Sequence, residues 1–195
     1  MDAILSGLGL AGAAGLNAYI PLLVLALAGR LGYADLSAPY DALSSDLGLG
    51  VLAVLLAVEA LADKVPGVDH VNDAINTVVR PAAGGLLFLS ATGAGTLDPV
   101  LAAVLGLLSA GGVHALKATA RPVVTATTGG LGNPIVSVLE DIAAVLAALL
   151  AIAAPLLVVF LLLALVIAFV VLLRHLRTRR ARRSGLPARG SGAGP

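Results

Sequence analysis

A chain of 195 residues with 59% hydrophobic and only 12% charged side chains is too apolar for a soluble domain, where roughly 45–50% and about 25% are usual. A net charge of +1 excludes the basic face with which a nucleic-acid-binding body neutralises several phosphates. The lack of cysteine excludes disulfides, thiolate metal sites, haem attachment and cysteine nucleophiles.

The remaining charges gather in short stretches between long uncharged ones, a pattern imposed by a bilayer. The predicted class is an all-α, polytopic membrane helical bundle. A helix rises 1.5 Å per residue, so about 20 apolar residues cross a hydrocarbon core of roughly 30 Å. Residues 3–29 meet that length and, lacking a basic n-region, read as a retained helix and not a signal peptide. Asn17 inside it needs a protein partner, because hydrocarbon supplies none. Gly7, Gly9, Gly12 and Gly15 permit the close backbone approach that such a bond requires. Residues 47–62 form a shorter helix with Glu59 near its end, which spans only if tilted or if the polar end is protected.

Residues 81–97, interrupted by Gly84, Gly85, Gly93 and Gly95, and residues 99–116 read as two crossings joined at Asp98. Residues 122–139 carry Thr125, Thr127, Thr128, Gly129, Gly130, Gly132, Asn133 and Pro134, a poor lipid-facing helix. A broken or re-entrant segment is expected there, since irregular backbone is tolerated at membrane depth only under cover of protein or a water-filled cavity. The apolar run over 142–173 is too long for one upright crossing, and Pro155 is placed to kink or split it. The total is about six crossings, or five if the broken segment does not cross.

Residues 1–173 thus form the membrane domain. The tail, RHLRTRRARR followed by SGLPARGSGAGP, is basic beside the membrane and disordered by composition at its end. The positive-inside rule places it in the cytoplasm of a multi-pass cell-membrane protein. The first loop, with Asp35, Asp41 and Asp46 against Arg30, then lies outside. A short echo pairs Gly15-Leu16-Asn17-Ala18 with Gly112-Val113-His114-Ala115, each followed by an acidic pair, Glu59 with Asp63 and Glu140 with Asp141. An inverted repeat of halves 1–97 and 98–173 and a coincidence of biased composition account for it equally.

Two polar clusters are candidate sites. In the first, Glu59 with Asp63 and Asp69 with Asp73 stand at i,i+4, with His70 and Arg80 nearby. Two carboxylate pairs can line a hydrated path or coordinate a cation; the alternative is a solvated loop with ordinary charges. In the second, His114, Lys117 and Arg121 fall at i, i+3 and i+7 on one helix face, followed by Asn133, Glu140 and Asp141. These groups can pair with carboxylates in low dielectric; the alternatives are a topogenic helix end for the two cations and a packing role for His114. The glycines at 129, 130 and 132 can present backbone N–H groups to an anion, but no lysine follows them as a phosphate-binding loop requires, so a tight helix break or hinge is favoured. No HExxH, GxSxG or zinc-ligand spacing occurs, so no catalytic residue and no cofactor is implied.

The run Gly15-Leu16-Asn17-Ala18-Tyr19-Ile20-Pro21, the central Asp63-Lys64-Val65-Pro66 with Asp69, Asp73-Ala74-Ile75, Thr77 and Arg80-Pro81, and the later Thr128-Gly129-Gly130 with Asn133-Pro134, Ser137 and Glu140-Asp141 together resemble a bacterial membrane-protein family catalogued as domain of unknown function 4126. The resemblance spans residues from about 5 to 160 and leaves out the basic tail. It implies a small polytopic inner-membrane protein and supplies no catalytic residues to carry over.

Ionisable residues at membrane depth favour a transporter or channel for a small solute or ion. The alternative is a non-transporting scaffold or lipid-associated accessory protein, which a polybasic tail fits. An intramembrane enzyme acting on lipids rests only on the presence of acidic residues. The expected partners are the lipid bilayer, a small solute or ion, and a second copy in a homodimer that covers short, glycine-rich helices; nucleic acid is not among them.

Overall fold

A computed structural model describes residues 2–62, 68–93 and 95–158 with a few positions up to 171, and for residues 68–70 and 73 it describes the backbone. Among them are six α-helices and a short 3-10 turn (Tyr40–Ser44), with no strand. Met1–Phe160 forms one compact unit, and it holds every feature discussed below.

In place of the single helix expected over 3–29 stand two, α1 (Asp2–Leu16) and α2 (Tyr19–Arg30). Ala3 and Ser6 share a small pocket with Leu25, Tyr33 and Asp35; one continuous helix would set Ala3 and Leu25 about 30 Å apart. The chain therefore reverses at Asn17 and Ala18. Asn17 causes the reversal, because its Oδ1 accepts the backbone N–H groups of Tyr19 (3.0 Å) and Ile20 (3.1 Å) and so caps the second helix.

Helix α3 (Asp46–Ala62) keeps its predicted bounds to within a residue. Helix α4 (Val68–Thr92) begins well before Pro81, which lies inside it. Gly84 and Gly85 do not interrupt α4. They bring its backbone against α5 (Pro99–Thr128), where a Cβ at Gly84 would meet the Gly106 carbonyl at 2.7 Å. The connecting turn contains Gly93 and Gly95 at positive φ. It ends at Asp98, whose carboxylate accepts from Val100 N and Leu101 N with Pro99 opening the helix.

The expected break over 122–139 narrows to residues 129–132. Helix α5 passes through Pro122 to Thr128 because Thr125, Thr127 and Thr128 each donate to a carbonyl one turn back, at 2.8–3.0 Å, and so serve their own hydroxyls. Gly129 (φ 61°) and Gly130 (φ 88°) then end it in the left-handed region. The discontinuity is a tight turn into α6 (Asn133–Ala153). The apolar run that follows is split at Ala154, and helical backbone resumes at Pro155.

Three helical stretches are long and apolar enough to cross a membrane, Ala74–Thr92, Pro99–Thr128 and Asn133–Ala153, while α1 and α2 are apolar but shorter. The chain is a helical membrane protein. Its outward faces carry Val54, Val58, Leu108, Leu146 and Leu149, and the packing within is by small residues. Helix α1, buried at Gly7, Gly9, Ala11, Ala13, Ala14 and Gly15, is the hub against which α4, α5 and α6 pack.

The contacts fix the helix directions. Ser109 Oγ donates to the Leu8 carbonyl (3.3 Å) and Lys117 Nζ to the Leu16 carbonyl (3.0 Å), so α1 and α5 run the same way. Gly9 packs on Ala151 while Asn17 meets Asp141, so α6 runs oppositely. Segments 15–18 and 112–115 are thus parallel neighbours, whereas partners in an inverted repeat run in opposite directions; their echo does not mark one. A Cβ at Gly112 would meet nothing within 4 Å. Gly112→Ala is therefore expected to stabilise the fold by roughly 0.4–1 kcal/mol, read as a higher unfolding midpoint in detergent.

Candidate functional site

At the level where α1 ends, five helices converge on two linked charged groups. Helix α3 contributes Glu59, and α4 contributes Asn76, Thr77 and Arg80. These lie four, three and zero residues before Arg80 and so share one face. Glu59 Oε1 accepts from Asn76 Nδ2 (3.0 Å) and from Arg80 Nη2 (3.0 Å), with the two charged side chains 2% and 1% exposed. Arg80 Nη1 lies 3.2 Å from His114 Nδ1, and Thr77 Oγ1 lies 3.3 Å from His114 Nε2. A guanidinium only donates, so Nδ1 must accept. The imidazole is then neutral, with its proton on Nε2 and donated to Thr77. Arg80 Nε has no hydrogen-bond partner among the described residues.

The second group forms because the turn at 129–132 sends α6 back alongside α5. Glu140 Oε2 stands 2.8 Å from Lys117 Nζ and 3.6 Å from Arg121 Nη2. Lys117, with its side chain 4% exposed, also donates to the Leu16 carbonyl at the tip of the α1–α2 hairpin. The neighbouring Asp141 points elsewhere and accepts from Asn17 Nδ2 at 2.9 Å. The tip is thus held from α5 by an ammonium and from α6 by a carboxylate.

A cavity of about 520 Å³ opens beside these groups. Its polar wall is Thr77, His114, Lys117, Arg121, Thr125 and Asn133, and its apolar wall is Ala74, Ala118, Pro122 and Ala126. Thr125 Oγ1 lies 3.1 Å from the Asn133 side-chain amide, which ties the two helices together across the rim. A concave space of this size, mostly apolar with a few convergent polar groups, is the usual form of a small-ligand site.

The family model for domain of unknown function 4126 matches residues 4–175. The chain belongs to that family. Among curated proteins and among solved structures there is no match to it.

In this member of family 4126, the residues singled out from sequence fall into three sets. His114, Lys117, Arg121 and Asn133 line the cavity. Glu59, Arg80 and Glu140 hold or flank its wall, and Asn17 with Asp141 secures the hairpin tip. Asp63 lies outside the described residues, as do the side chains of Asp69, His70 and Asp73 and the basic tail. Glu59 is turned to Arg80, the pairing expected of a buried carboxylate beside a buried cation. Among the described residues no cluster of three His, Asp or Glu side chains could hold a metal ion. Sequence reasoning passed over Thr77 and Thr125 as site residues. The signal for Thr77 is its placement three residues before Arg80, which sets both against His114.

Proposed function

We propose that the protein passes a small solute or ion across the membrane through the cavity at the Lys117–Arg121 face. The observation that carries the reading is the cavity itself, with a nearly buried ammonium and a guanidinium in its wall beside a completely buried Glu59–Arg80 pair. Ionisable groups at such depth are expensive to keep and mark passages more often than packing. Arg80 stands midway along α4 and Lys117 past the middle of α5, together with Glu59 and Glu140, whereas Asp35, Asp41, Asp46 and Asp98 belong to the loops and helix starts at the far end.

The test is solute movement into proteoliposomes, followed by light scattering for a panel of salts and small neutral solutes and by an entrapped pH dye. Glu140→Gln loosens Lys117 and Arg121 from their shared carboxylate; flux is expected to change about tenfold, the worth of one charge-assisted bond, with insertion intact. Vesicles that stay silent with correctly inserted protein would remove transport. They would leave the second reading, a scaffold in which the same bonds merely lock helix to helix.

A further inference from the structure

We infer that the ligand of this cavity is an oxyanion, a phosphate or carboxylate group on a small body, and that the Lys117 ammonium binds it; the inference rests on the cavity reading above and names its substrate class. An ammonium has three N–H donors. Lys117 spends one on Glu140 and one on the Leu16 carbonyl, and the third has no acceptor among the described residues although the side chain is nearly buried in the cavity wall. A buried, charged donor left unserved is unfavourable, and an anionic oxygen satisfies it best.

The rest of the wall points the same way. Lys117 and Arg121 converge on a single oxygen of Glu140, and no Asp or Glu lines the cavity among the described residues. His114 offers a cation nothing, because its Nδ1 lone pair is taken by Arg80 and its Nε2 proton by Thr77. A cation entering here would meet the Lys117 ammonium and the Arg121 guanidinium, whose shared carboxylate, Glu140, is already engaged. The volume exceeds that of a bare ion and leaves room for an organic body behind the charged head.

The anion can come from solution or from a lipid headgroup, and the experiment separates the two. The full chain in a non-ionic detergent is titrated calorimetrically with inorganic phosphate, with succinate and with dihexanoyl phosphatidic acid; choline chloride is the cation control. Saturable binding of phosphate or succinate assigns a free anion, and binding of the phosphatidic acid alone assigns a headgroup. Either is expected to weaken roughly tenfold or more in Lys117→Gln, which removes the ammonium and leaves Glu140 paired with Arg121. Should that variant aggregate, Arg121→Gln is expected to weaken binding in the same direction. No saturable anion binding, undiminished affinity in a folded variant, or choline binding as tight as the anion would overturn the assignment. Anion binding without flux would leave it standing and refute transport, whereas cation flux without anion binding would do the reverse.

Discussion

Arg80→Met alone is expected to cost the folded protein about 3–5 kcal/mol, because it takes from the Glu59 carboxylate, 2% exposed, the buried guanidinium it accepts from at 3.0 Å. The variant should aggregate or elute broadly from size exclusion, with an unfolding midpoint far below that of the unaltered chain. The double variant Glu59→Leu/Arg80→Met is expected to recover most of the loss, since replacing a buried pair by apolar groups of similar size is often neutral. Recovery identifies the pair as an electrostatic lock between α3 and α4. A double variant as unstable as the single would show instead that Arg80 is needed for its contact with His114.

Gly106→Val is the second large effect. A Cβ at Gly106 would run into the Gly84 carbonyl and stand 2.8 Å from Gly85 Cα; both obstacles are backbone, so no rotamer change relieves them. Overpacking of this kind costs about 1–3 kcal/mol and occasionally more, and here it acts by prising α5 from α4. Because Arg80 and Thr77 ride on α4 and His114 on α5, the same displacement should abolish ligand binding even in protein that stays folded. The contrast with Gly112→Ala, on the open side of the same helix, separates a loss of close approach from a general effect of replacing glycine.

Much of the helical framework was legible because local chemistry decides it. Asp98 followed by Pro99 opens α5, Pro155 splits the last apolar run, and the bounds of α3 follow the hydrophobic stretch. The reversal at Asn17 was not legible. An amide inside an apolar run reads as a polar inclusion in one helix, and it becomes a cap because Asp141, 124 residues away, fixes its orientation. The threonines before Gly129 misled in the opposite sense: they look like helix breakers, yet bonding back to their own helix makes them tolerable.

At the site, the spacing of His114, Lys117 and Arg121 is enough to put them on one face, since that is a property of a single helix. Which carboxylate they meet depends on the return of α6 after residues 129–132, and the Glu59–Arg80 pairing depends on how α3 lies against α4. Neither is local, and neither could be read from spacing.

The chain has no cysteine, so the claim that solute passes through the cavity can be tested by labelling alone. The decisive measurement is flux into proteoliposomes of Ala126→Cys, an exposed position in the cavity wall, before and after reaction with a bulky, membrane-impermeant thiosulfonate. Ser37→Cys in the exposed loop after α2 serves as the control. Labelling Ala126→Cys is expected to stop flux while labelling Ser37→Cys leaves it unchanged; full labelling of Ala126→Cys with flux undiminished would rule out passage through the cavity.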